Sequence, residues 1–130
     1  MKPDSREHVL LALWAADCAA HVLEAFEARH PQDDRPRKAI EAARAWAHDD
    51  LSMAEARAAA FASHAAAREV SDSAAIAAAR AAGHAAATAH VVTHAPHAAR
   101  YALAAVSDRD AEREWQRQQL PERLWAFAFG

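Results

Sequence analysis

Ser73–His94, SAAIAAARAAGHAAATAHVVTH, is the stretch that decides the fold. It holds no proline and is built mostly of alanine, the best helix former, so local propensity alone predicts a helix. At about 1.5 Å per residue that helix runs about 33 Å, the width of a small domain. Its small side chains let neighbouring helices approach on every side. Gly83 interrupts the run at a cost of up to about 1 kcal/mol relative to alanine. A backbone contact at a helix crossing is the expected reason for keeping it. The segment reads as the central helix of an all-α domain.

Composition agrees with a single helical domain over residues 1–130. Hydrophobic residues make up 53%, but roughly a third of the chain is alanine, so the core must rest on many small contacts and a few anchors. Those anchors are four Trp, four Phe, Tyr101 and scattered Leu, Ile and Val. Only two glycines leave little room for β-hairpin turns. A net charge of −3 argues against a nucleic-acid binder, which would show a basic face. Cys18 alone excludes an internal disulfide and a Cys-rich zinc site, and on an apolar helix face it reads as a small core residue. No signal peptide opens the chain, and no run of 18 uncharged apolar residues reads as membrane-spanning, so a cytoplasmic protein is expected. No phosphate loop, GxSxG elbow or Cys-pair motif occurs, so the sequence indicates neither a cofactor nor an enzyme class.

Working outward from the central helix predicts a bundle of about six helices. The first spans 4–28, capped by Asp4 or Ser5, with Val9, Leu10, Leu13, Trp14, Cys18, Val22, Leu23 and Phe26 on a wide apolar face. The segment RHPQDDRP, 29–36, breaks the pattern, and Pro36 suits the start of a second helix to about residue 48. Ser52 and Glu55 form a capping box for a third helix reaching about Val70. Ser71-Asp72-Ser73 caps the central helix, and Ala95-Pro96 ends it, because the residue before proline is pushed out of helical conformation. Two shorter helices follow, 96–106 and 108–119. The apolar tail ERLWAFAFG must dock on the domain or on a partner.

Two sets of polar residues are candidates for function. The first is an interior cluster of Asp17, His21, Arg35, Arg57, His64, Arg68, His84, Thr88, His90 and His94. His90 and His94 stand four apart, a spacing that can ligate a metal from one helix face, with Asp17 or His21 completing the set. The intervening sequence is HVVTH and carries no HExxH glutamate. Alternatively the cluster is a structural ion-pair network. A carboxylate such as Asp17 on an apolar face is costly unless paired, most plausibly with Arg35, Arg57, Arg68 or His21. The second set is exposed: Asp33, Asp34, Asp49, Asp50 and Glu122 with Trp125, suited to a partner's surface. Asp33 and Asp34 can equally favour the start of the second helix.

The polar and aromatic landmarks carry a resemblance. Asp17-Cys18-Ala19, Asp34-Arg35-Pro36, Trp46, Gly83-His84 through Thr88-Ala89-His90, Tyr101-Ala102 and Trp115-Gln116 stand between Leu11 and Gln119. In this pattern the chain resembles the all-α, Ala-rich immunity proteins of bacterial polymorphic toxin systems, the group like the fifth-numbered immunity family. The resemblance implies a small helical protein that neutralises a cognate toxin by direct binding. It carries over no catalytic residue and no metal. A ligand- or metal-binding helical domain remains the alternative, and self-association through the tail, as in a homodimer, stays open.

Overall fold

The computed structural model describes residues 2–130, and those residues form helices and turns with no strand. The first predicted helix is α1, Ser5–Val22, followed after Leu23 by one further turn, α2, Glu24–Glu27. Then come α3, Arg35–Ala47, α4, Met53–Arg68, and the central α5, Ser73–Ala87. The chain closes with α6, His94–Ala104, α7, Arg109–Gln118, and α8, Trp125–Phe129, entered through the 3-10 turn Glu122–Leu124.

Helix α5 packs against α1, α2, α3, α4 and α6, and from Ala75 to Ala86 nearly every residue on it is buried. Alanine permits this, because a helix covered on most sides has little room for large side chains, and the larger Ile76, Arg80 and His84 lie on its one partly open stripe. Bulk is supplied from outside it by Leu11, Trp14 and Phe26. By length and composition Ser5–Glu27 would suffice to cross a membrane, but more than half of that stretch is buried among the other helices, so its hydrophobicity is a core face.

The capping signals behave as their chemistry requires. Of the two candidate caps it is Asp4 that acts: it accepts from Glu7 N, and Glu7 reaches back to accept from Asp4 N, closing a capping box. Ser52 and Glu55 form the second box, and Asp72 accepts from Ala75 N at the head of α5. At the end of α3, Asp49 adopts a left-handed φ of 61°, with Asp50 N bonded to Ala45 O and Asp49 N to Trp46 O. This is a Schellman ending with aspartate where glycine is usual.

Two expectations are corrected. The central helix stops at Ala87, well before His94. Thr88 turns its hydroxyl onto His84 O, and its own carbonyl accepts from His8 Nε2 at 2.6 Å. The β-branched run Val91-Val92-Thr93 follows, and a continuous helix would set the Pro96 ring against the Val92 carbonyl. Pro96 instead sits in the first turn of α6, where a missing N–H costs nothing. The second correction concerns Gly83. A Cβ there would stand 2.7 Å from the His64 ring, so the close approach is an imidazole from α4 lying on the α5 backbone, not a backbone crossing.

The tail returns to the bundle. Leu124 and Ala128 are buried, Phe129 meets Trp14 edge-on at 5.5 Å, and Trp125 Nε1 donates to Leu120 O.

Candidate functional site

The ten residues of the expected interior cluster separate into distinct groups. The largest is a histidine stack where α4, α5 and α6 meet. His64 stands edge-on to His84 at 4.9 Å, and Tyr101 stacks on His84 at 5.2 Å. His94 faces His84 with their Nδ1 atoms 2.9 Å apart, and His97 lies 5.3 Å from His84 between ring centres. Only one of the two facing Nδ1 atoms can carry a hydrogen when the bond is made, so one ring donates and the other accepts. Arg80 donates to His64 Nδ1 at 2.9 Å and Arg100 donates to His97 Nδ1 at 2.8 Å, which makes both nitrogens acceptors.

Burial first, and neighbouring positive charge second, disfavour the protonated forms of His64, His84 and His94. Burial, then the Arg80 and Arg68 charges, push His64 down to about 4. Burial, then the neighbouring His64, His94 and His97, push His84 down to about 3. His94 is lowered by burial and by His97 and His90. Among the described residues no three His, Cys, Asp or Glu side chains are arranged to hold a metal ion.

A second group joins α1 to α3 and α7. Asp17 pairs with Arg44 at 3.0 Å, and not with Arg35, Arg57, Arg68 or His21. His21 pairs with Glu112 at 2.9 Å and stacks on Trp115 at 3.6 Å. Cys18 lies nearby in the core, where burial and the Glu112 and Asp17 charges push its thiol up, so it stays protonated and unreactive. A third group is Arg35, which grips Asp33 at 2.7 Å and Glu69 at 2.8 Å, and its hydrogen bonds hold both carboxyls below their usual range. The remaining expected members stand apart. Thr88 is buried at the end of α5, Arg57 lies over the exposed Phe61 ring, Arg68 is exposed, and exposed His90 touches Met53 Sδ at 3.4 Å.

Of the exposed set, Asp33 is held by Arg35, and Asp34 lies 3.2 Å from Lys38. Asp49, Asp50 and Glu122 are exposed, and Trp125 is half-buried. Sequence reasoning passed over Arg44, Arg80, Arg100, Glu112 and Gln116. For the last two no hydrophobic signal exists, because the buried stripe of α7 is itself polar. Glu112 is 6% exposed and Gln116 0%. Trp14 Nε1 donates to Gln116 O and Gln116 Nε2 donates to Ala99 O, both at 2.9 Å, so α7 is fastened by hydrogen bonds more than by apolar contact.

An Ala-rich bundle whose internal polar groups mostly join one helix to another, with cationic and aromatic side chains on its surface, is a small all-α protein. Residues 1–123 match the family model described as "Imm-5 like putative immunity protein", and the chain belongs to that family. The match reaches beyond the 11–119 stretch that carries the resemblance. No curated protein and no solved structure matches the chain.

Proposed function

We propose that this protein neutralises a cognate toxin by binding it directly, without catalysis, in the cytoplasm of a bacterium equipped with a polymorphic toxin system. Membership of an immunity-protein family over residues 1–123 is the observation that carries the reading. The geometry is compatible with it. A rigid core of close-packed alanine presents fixed surfaces, and a preorganised surface loses little conformational entropy on binding. The exposed carboxylates Asp49 and Asp50 and the half-buried Trp125 are partner-binding candidates, whereas Asp33 and Asp34 already have cationic neighbours.

The test starts from a tagged copy expressed in the native host. The partner recovered with it is then expressed alone and together with this chain. Restored growth in the presence of this chain, with a stoichiometric complex on gel filtration, supports immunity. A partner that is not toxic, or toxicity that persists with the complex intact, refutes it. Recovery of a bound ion or small molecule in place of a protein would favour a ligand-binding domain centred on His84 and His94.

A further inference from the structure

The chain is acidic overall, yet one face of it carries no carboxylate. From Ser73 to Ser107 there is no Asp or Glu, while Arg80, Arg100 and four histidines occur. Helix α4 contributes one stripe to the same face, Met53-Arg57-Phe61-His64-Arg68, at spacings of four, four, three and four. Its only carboxylate near the start, Glu55, is two positions from Met53 and tied into the capping box on another side. The stripe is continuous with the other helices. His90 meets Met53 at one end, and His64 leads through His84 to Tyr101 in the middle.

Charge and exposure are both unusual here. Elsewhere arginines commonly lie beside carboxylates, as in Arg35–Asp33, Arg37–Glu27 and Arg44–Asp17. Arg57, Arg68, Arg80 and Arg100 form no ion pair among the described residues. Large apolar side chains are exposed on the same face: Phe61 is 60% exposed, Met53 46% and Tyr101 37%. Exposed aromatic rings flanked by arginine are the composition of an interface centre. Arg57 lies over Phe61 at 5.3 Å, which holds both side chains in place before any partner arrives.

We propose that the carboxylate-free face of α4, α5 and α6, centred on Phe61 and the His64–His84–Tyr101 stack, is the docking surface of this protein, and that its occupant is an acidic surface segment of the partner protein. The proposal rests on the direct-binding reading and gives it a face and a chemistry. Carboxylates of the occupant pair with Arg57, Arg68 and Arg100, and an apolar side chain covers Phe61. The groups around the stack are basic or neutral, His64 from α4, Arg80 and His84 from α5, and His94, His97, Arg100 and Tyr101 from α6, and the carboxylate beside Arg68 at the end of the α4 stripe, Glu69, is held by Arg35.

The probe is a short polyglutamate peptide titrated into the full, isotopically labelled chain and followed by amide chemical shifts. The expected result is saturable shifts confined to residues 53–68, 80–84 and 90–101, weakened by salt as exposed charge pairs are. The double variant Arg57→Glu/Arg100→Glu, folded by circular dichroism, should bind about tenfold more weakly or less. Shifts clustered around Asp49 and Asp50, or tighter binding of polylysine to the α4–α6 face, would overturn the proposal. So would tighter binding of an RNA oligomer of equal charge, or a concentration-dependent dimer abolished by Arg57→Glu, since each names a different occupant. The titration needs no toxin. If polyglutamate maps to this face but the host yields no toxin, immunity fails and the acidic-partner face stands. If the double variant still protects against a captured toxin, this face fails and immunity stands.

Discussion

At the scale of single residues, the His64 ring lies so close on Gly83 that a side chain there would meet it. Helix propensity favours Gly83→Ala by up to about 1 kcal/mol. Packing opposes it, because the added Cβ would stand 2.7 Å from the ring. The ring has little freedom to yield, being held by Arg80 and set edge-on to His84. We expect Gly83→Ala to destabilise the protein by about 1–3 kcal/mol, as overpacked sites do. In the background of His64→Ala it should become stabilising, and urea unfolding of the four proteins in the cycle reads the change of sign. A cost that survives in the double variant would mean that something other than the ring sets it. The same rings set a pH dependence. Their protons are favoured in the unfolded chain, where His titrates near 6.5, over the fold, where His64 is pushed down to about 4 and His84 to about 3. Stability is therefore complete above about pH 6.5 and declines as the pH falls towards 4 and then 3. One group fully linked gives about 1.4 kcal/mol per pH unit, and half-buried rings should give about half of that. Unfolding midpoints at pH 7.5, 6, 5 and 4 should show this loss, and His84→Gln should make it shallower. An unchanged slope in the variant would remove His84 as its source.

At the scale of elements, what was legible in the sequence followed from local chemistry. The box at Ser52–Glu55 and the caps at Asp4 and Asp72 act within a few residues, so the pattern of side chains suffices to place them, whereas Glu7 closing a box on Asp4 was not read. The end of α5 was misplaced because Pro96 marks where a helix cannot pass, not where it stops. The stop at Thr88 depends on His8, eighty residues away. Helix α7 was the hardest to read, since its buried residues are Glu112 and Gln116 and no periodicity of apolar residues points inward. Of the candidate site, the histidines were legible as a group, but their true partners Arg80, Arg100 and Tyr101 come from helix packing that spacing does not encode. The docking of α7 yields its own prediction. His21→Ala leaves the buried Glu112 carboxylate without its hydrogen bond and removes the stack on Trp115. Loss of about 1–3 kcal/mol is expected in urea unfolding, because an unsatisfied buried acceptor carries its full desolvation cost. In a Glu112→Gln background the loss should shrink, and equal losses in both backgrounds would show that the His21–Glu112 hydrogen bond contributes nothing.

At the scale of the whole molecule, the tail and the proposed docking face adjoin, since Phe127 and His90 line one groove, but they are built from different side chains. The tail closes the core beneath Trp14, through buried Leu124 and Ala128 and through Phe129, over which Arg117 lies at 5.6 Å. The cation–aromatic face belongs to α4, α5 and α6, and the family match over residues 1–123 contains all of that face while stopping just before Leu124. Stability and recognition should therefore separate. Removing residues 124–130 uncovers Trp14 and gives up the burial of a leucine and much of a phenylalanine, about 3–5 kcal/mol at about 1.5–3 kcal/mol per fully buried side chain. Against a total of about 5–15 kcal/mol for a domain, that is a large share. The truncated chain should unfold at lower urea, show red-shifted tryptophan fluorescence, and self-associate through the uncovered apolar surface. At low temperature, where enough of it stays folded, its polyglutamate shifts on residues 53–68, 80–84 and 90–101 should match those of the full chain. An unfolding midpoint equal to that of the full chain would show that the tail is not part of the core. Loss of the shifts in a chain still folded would tie the tail to recognition and collapse the two tasks into one.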